Sequence, residues 1–164
     1  MNTNEATLTR TGDRPILRFE RRLAKPVDVV WRAVTEPDRV RLWFADTVDV
    51  QASPGHQGSM TFGADPATAT TVHVSVQAVD PPRSLSYRWQ HPAGSTAAPG
   101  NSTLVEFTLE AEGDRTRLRV VESGLDELAW PEDQKTSFES DHTQGWAAHF
   151  ERLADTVLAE HARP

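Results

Sequence analysis

Between Asp46 and Arg119 the chain alternates apolar and polar residues in short runs separated by turn residues, and from Lys135 to His161 it changes to a proline-free stretch with helical spacing. Successive side chains on a strand point to opposite faces, so the alternation requires an antiparallel sheet with one wet and one buried face. A sheet with an apolar face has to be covered, and the long helix is the element that can cover it. The expected architecture is α+β: a curved antiparallel sheet, two short helices and a long C-terminal helix.

The strands expected from this pattern are Asp46–Gln51, Ser59–Phe62, Thr70–Val79, Ser84–Gln90, Thr103–Ala111 and Arg115–Ser123. Within the last three, Leu85, Tyr87 and Trp89, then Val105, Phe107 and Leu109, then Leu118 and Val120 share one face, opposite Arg88, Glu106, Arg117 and Arg119. The buried face is therefore rich in aromatic rings. Before the meander, Ile16–Leu23 alternates as a strand, with Leu17, Phe19 and Leu23 inward. Pro26 suits the first turn of a helix, and Val27, Val30, Trp31 and Val34 follow at the spacing of one apolar stripe. Glu36-Pro37 breaks that helix, because a residue before proline avoids the α region, and Val40, Trp43 and Phe44 supply the face of a second small helix. Asp80-Pro81-Pro82-Arg83 and Glu112-Gly113-Asp114 read as tight turns, and His91 to Ser102 as a longer loop bordering an opening. Phe138, Trp146, Phe150, Leu153 and Val157 mark the stripe of the long helix. Residues 1–14 are expected to be a flexible N-terminal segment, and 15–162 a single domain.

Composition narrows the function classes. Without cysteine there are no disulfides, thiolate metal sites or cysteine nucleophiles. A formal charge of -7 repels a phosphate backbone, and the one basic cluster is Arg14, Arg18, Arg21, Arg22 and Lys25, so nucleic acid is not an expected partner. The polar stretch Met1 to Asp13 lacks the apolar core of a signal peptide, and no apolar run is long enough to span a bilayer. The expectation is a cytoplasmic protein with no membrane insertion, and the preponderance of arginine over lysine fits a GC-rich bacterial genome.

The order of elements, together with Lys25-Pro26, Val30-Trp31, Trp43-Phe44, Asp80-Pro81-Pro82 leading into Leu85-Ser86-Tyr87-Arg88-Trp89, Glu122-Ser123-Gly124, and Gly145-Trp146 with Leu153, resembles the START-like (SRPBCC) superfamily. Within it the chain is similar to the branch of the activator of heat-shock protein 90 ATPase. The resemblance runs from Ile16 to Glu160 and implies a helix-grip (START/Bet v-like) fold. It also implies a cavity between sheet and terminal helix, used across the superfamily for lipids, polyketides, hormones and other apolar small molecules. It implies no single reaction, since a fold licenses a site and not a substrate.

An apolar cavity needs a few polar groups to orient its guest. Glu122 continues the inward phase of Leu118 and Val120, and His142 lies one turn after Phe138 and one turn before Trp146, so the two are candidates to face one space. Paired, they would bind a polar head or transfer a proton; the alternative is a carboxylate bonded to nearby backbone and a half-exposed histidine. Tyr87, Trp89, Phe107, Phe138, Trp146 and Phe150 are the candidate walls, with plain core packing as the alternative. Asp126, Glu127, Glu132 and Asp133, interleaved with Leu128 and Trp130, form either a partner-facing lip or a solvated loop. His56, His73, His91, His142, His149 and His161 follow no metal-ligand spacing, and no nucleophile elbow, phosphate loop or dinucleotide fingerprint is present, so neither metal nor cofactor is expected. The expected function is binding of a hydrophobic or aromatic metabolite or lipid without defined catalysis. The alternatives are a cyclase-, aromatase- or hydrolase-type enzyme using Glu122 and His142 as acid and base, and a module that regulates a chaperone ATPase.

Overall fold

The computed structural model describes residues 6–11, 14–63, 65–90, 101–125, 128–129 and 131–159, the side chains of residues 6–15, 138–147 and 158–159 excepted. The strands are β1 (Ala6–Thr11), β2 (Arg14–Leu23), β3 (Thr47–Asp49), β4 (Gln57–Phe62), β5 (Thr70–Asp80), β6 (Ser84–Gln90), β7 (Ser102–Glu112) and β8 (Arg115–Ser123). They form one 8-stranded sheet in the order β1-β2-β8-β7-β6-β5-β4-β3, antiparallel at every described pairing. Helices α1 (Val27–Thr35) and α2 (Pro37–Val40) connect β2 to β3, and α3 (Glu132–Ala159) follows the sheet. This is the helix-grip arrangement, with the meander where the alternation places it.

The register aligns the inward residues in rows. Phe19, Val120, Phe107 and Leu85 face one another across four strands, and the next row runs Leu17, Glu122, Val105, Tyr87 and Val76. A bulge between Val76 and Ala78 resets the phase, so that Val79 rather than Ala78 pairs with Leu85. On the outer face Glu20 sits opposite Arg119, accepts a hydrogen bond from Arg117 Nε at 2.7 Å and lies 3.5 Å from Arg119 Nη2.

Local chemistry explains the helical corner. Glu36, extended at φ -77 and ψ 124 before Pro37, ends α1. After α2 the chain continues as turns bonded back to the Val40 carbonyl by the Trp43 and Phe44 amides, so these two rings project from a turn and not from a helix face. Trp43 Nε1 donates to Ala33 O at 2.8 Å and ties the corner to α1. On α1 the buried residues are Val29, Val30, Ala33 and Val34, while Val27 and Trp31 are half-buried against the core.

Several boundaries differ from the sequence reading by a residue or two, and three differences bear on the packing. Residues 1–14, expected to be a flexible segment, include β1, which pairs with β2. An edge strand needs neighbours on one side only and carries no obligatory apolar stripe, which hides it in a polar sequence. The strand expected over Asp46–Gln51 shrinks to Thr47–Asp49, because the Gln51 amide turns to His56 Nδ1 at 3.1 Å. There β3 and β4 approach so closely that any Cβ on Gly58 would collide with the Asp49 carbonyl oxygen. The long helix starts a turn earlier than Lys135, with the Lys135 amide bonded to Pro131 O at 3.1 Å.

Candidate functional site

Glu122 is wholly buried, with 0% exposure, because it continues the inward alternation of β8. Its Oε2 accepts the Thr103 hydroxyl at 2.7 Å. Two strands away in the same row, Tyr87 is 4% exposed. Burial pushes the Tyr87 phenol far above its ordinary range, and the nearby Glu122 charge pushes it further. Tyr87 therefore stays a protonated phenol at any physiological pH.

Between the helical corner and strands β3 to β7 lies a cavity of about 30 Å³. Tyr87 and Phe107 line it from the sheet together with Met60, Val76 and Leu85, and Val34, Thr35 and Trp43 line it from the corner. It has room for about one or two waters and lies well below the ~300–1,000 Å³ of ligand pockets. Its polar side chains differ in their hydrogen bonding. The Thr35 hydroxyl donates to Trp31 O at 2.7 Å and the Trp43 indole to Ala33 O, whereas the Tyr87 hydroxyl bonds to none of the described residues.

A third feature is an aromatic cluster where the corner, β4, β6 and α3 meet. Phe44 contacts Phe62 edge-on at 5.3 Å, Trp89 at 5.6 Å and His149 edge-on at 4.8 Å, and Phe62 lies 5.3 Å from Trp89. Arg152 donates from Nε to Trp43 O at 3.2 Å, and its Nη2 lies 2.6 Å from His149 Nδ1. His149 Nδ1 also lies 3.2 Å from Trp43 O, so it accepts from Arg152 in the tautomer protonated on Nε2 and donates to that carbonyl in the tautomer protonated on Nδ1. Through Arg152, α3 latches the corner by a backbone carbonyl.

Of the residues singled out in the sequence, Tyr87 stands beside Phe107 and Trp89, with ring centroids 6.0 Å and 6.4 Å apart. Tyr87 and Phe107 line the cavity, Trp89 belongs to the aromatic cluster, and Glu122 pairs with Thr103. Phe150 packs edge-on against Phe19 at 5.4 Å, at the opposite side of the grip. The side chains of Phe138, His142 and Trp146, and with them any Glu122–His142 pairing, lie outside the described residues, as do Asp126, Glu127, Trp130 and the loop residues 91–100. Glu132 and Asp133 are exposed in the first turn of α3, where carboxylates complement the helix dipole. Arg88 points outward, its Nη1 3.4 Å from Ser102 Oγ. Thr103, Phe44, Phe62 and His149 were not among the candidate site residues. Thr103 was legible as one more step in the Val105, Phe107 phase, but nothing in spacing links Phe44, Phe62 and His149, which come from three separated elements.

Sheet, corner and gripping helix together define a domain of the SRPBCC fold, a family of ligand-binding domains. The chain belongs to the family described as Activator of Hsp90 ATPase homolog 1-like protein, whose model matches residues 24–157. Among solved structures it is similar to MLL2253 from Mesorhizobium loti, at 26% identity over 90% of this chain and 99% of that one, with a TM-score of 0.69. It is also similar to DynU16, a protein in the dynemicin biosynthetic locus, at 26% identity over 88% of this chain and 47% of that one, with a TM-score of 0.64. CalU16 from Micromonospora echinospora shares the fold at 20% identity, 93% and 71% coverage and a TM-score of 0.63. No curated protein matches the chain. Among the described residues no helix is long and apolar enough to cross a membrane.

Proposed function

We propose that this chain binds a hydrophobic or aromatic small molecule between the helical corner and the sheet. The observation that carries the reading is a buried carboxylate, Glu122 bonded to Thr103 with Tyr87 two strands away, set into a largely apolar inward face that borders an apolar cavity. Burying a carboxylate costs several kcal/mol, and apolar residues of similar volume serve packing at least as well. Buried titratable groups beside a cavity are the pattern of a site that orients a guest. A guest larger than the described cavity of about 30 Å³ requires the corner to lift and the walls to repack. Met60, unbranched and adaptable, is suited to that repacking. The similarity to a protein of a biosynthetic locus supports a small-molecule context. Tyr87 and Phe107 contact the guest in the cavity, and Trp89, Glu122, Phe138, His142, Trp146 and Phe150 are the remaining proposed ligand-binding residues, for a site that extends between the sheet and α3. Native mass spectrometry of the purified chain, screened against lipids and aromatic metabolites, tests the reading. A bound mass with altered tryptophan emission is expected, and the absence of both overturns it.

Two other readings draw on specific observations. The fully buried Glu122 supports an enzyme of cyclase, aromatase or hydrolase type with Glu122 and His142 as acid and base; turnover that survives both Glu122→Gln and His142→Ala removes those roles. The small size of the described cavity and the family description support a module acting on a chaperone ATPase. An ATPase rate unchanged by the added chain disposes of that reading.

A further inference from the structure

We infer that the outer face of the sheet carries an oxyanion site built on Arg88 and His73, and that its ligand is the phosphate group of a soluble small molecule. The two residues alternate with the inward Val72, Val74, Tyr87 and Trp89, so the site lies on the opposite face from the cavity and is independent of the reading above.

The register sets the two side by side. His73 pairs with Gln90 and Ser75 with Arg88, which makes His73 and Arg88 diagonal neighbours on one face, at a spacing of about 7–8 Å that long side chains span. The row Ser59, His73, Gln90 and Ser102 is sheltered, with Gln90 3% exposed and Ser102 0%, although the wet face of an antiparallel sheet ordinarily meets water. Within this row His73 Nε2 is buried and makes no hydrogen bond. A buried ring nitrogen without a partner forfeits its hydration for nothing, and a ligand that pairs it restores the loss.

The charge beside it sets the chemistry of that ligand. Glu106 is the diagonal neighbour of Arg88 on β7, yet among the described residues Arg88 forms no ion pair, and its Nη1 lies instead 3.4 Å from Ser102 Oγ, a weak contact. A guanidinium carries five N–H groups, so most of its donors remain open. Ser75, opposite Arg88, accepts from Gln77 Nε2 at 3.3 Å, which leaves its hydroxyl hydrogen to give. An anion drawn to Arg88 also selects the His73 tautomer that donates from Nε2. Three donors spread over two strands match the several oxygens of a phosphate better than the two of a carboxylate. A chain of net charge -7 is repelled by an anionic membrane, so the phosphate belongs to a soluble molecule and not to a lipid headgroup.

The test follows the ring nitrogens of His73 and the Nε–H of Arg88 by NMR in the full, isotope-labelled chain, titrated at neutral pH with methyl phosphate, with acetate and with sodium chloride at equal ionic strength. Both signals are expected to shift saturably with methyl phosphate, more weakly with acetate and not with chloride. Arg88→Gln is expected to weaken methyl phosphate binding at least about tenfold, the scale of a charge-assisted hydrogen bond, and His73→Gln by a smaller factor. Responses to methyl phosphate and chloride that coincide, affinity unchanged in Arg88→Gln, or tighter binding of acetate overturns the inference. Vesicles of phosphatidylcholine and phosphatidic acid, sedimented with the chain, are expected to leave it in solution, and co-sedimentation reversed by methyl phosphate overturns the soluble source. The natural-chain titration needs no variant, so a variant that fails to fold does not remove the test. Each of these outcomes concerns the outer face and leaves the reading of the cavity as it stands.

Discussion

The buried face of the sheet is closed by two different devices. Over β2, α3 buries Phe150, Leu153, Ala154 and Val157 at the i, i+3, i+4, i+7 spacing of one stripe and sets Phe150 edge-on against Phe19. Over β4 to β6 the cover is a one-turn helix and the turns after it, held by Trp43 and latched through Arg152, with a cavity left beneath. A long helix presents a continuous ridge that interdigitates with the sheet, whereas a short corner presents single rings whose positions are set by backbone turns. The first region carries stability, and the second retains room to change shape.

Three substitutions probe that contrast. Phe150→Ala removes a ring from the tight half and is expected to cost about 3–5 kcal/mol in denaturant unfolding. A loss below about 1 kcal/mol breaks the assignment of stability to that half. Adding one methylene separates the halves more finely. Val76→Ile grows into the cavity and is expected to stabilise by about 1 kcal/mol while weakening guest binding, whereas Val157→Ile overpacks the α3 side and is expected to cost about 1–3 kcal/mol. Equal signs for the two would mean that the halves do not differ in packing.

The smallest effect concerns the outer face, where Glu20 contrasts with Glu122. The Arg117 hydrogen bond, with the Arg117 and Arg119 charges, holds the Glu20 carboxyl below its ordinary value of 4.5, outweighing the opposing desolvation. A carboxyl whose folded value is depressed stabilises the fold above the unfolded value, and that contribution disappears as pH falls through the folded one. Glu20→Gln is accordingly expected to lower Tm slightly at pH 7, with the gap to the natural chain closing as pH drops below 4.5. The gap also shrinks in high salt, since the pair is partly exposed. A gap that persists in acid would show that Glu20 acts through packing and not charge.

Much of the architecture was legible because it is periodic. The alternation of Leu85, Tyr87 and Trp89 and of Val105, Phe107 and Leu109 reports a face directly, and the same arithmetic places Glu122 inward, where it is buried. Glu36-Pro37 marks the end of α1 through the steric demand of the proline on the residue before it. β1 stayed hidden because an edge strand bears no such periodicity, and Trp43 and Phe44 were misread as a helix face because turn and helix spacing coincide over so few residues.

For this protein the sequence by itself determined which residues face the core and the order in which strands and helices follow, since both depend on local steric preference and periodicity. Only the tertiary structure decided which inward residues meet. Tyr87 and Phe107 border a cavity with the corner, Trp89 joins Phe44, Phe62 and His149, and Phe150 is spent against Phe19. The physical reason is that a face follows from spacing within one element, whereas a contact follows from the register and curvature that bring distant elements together.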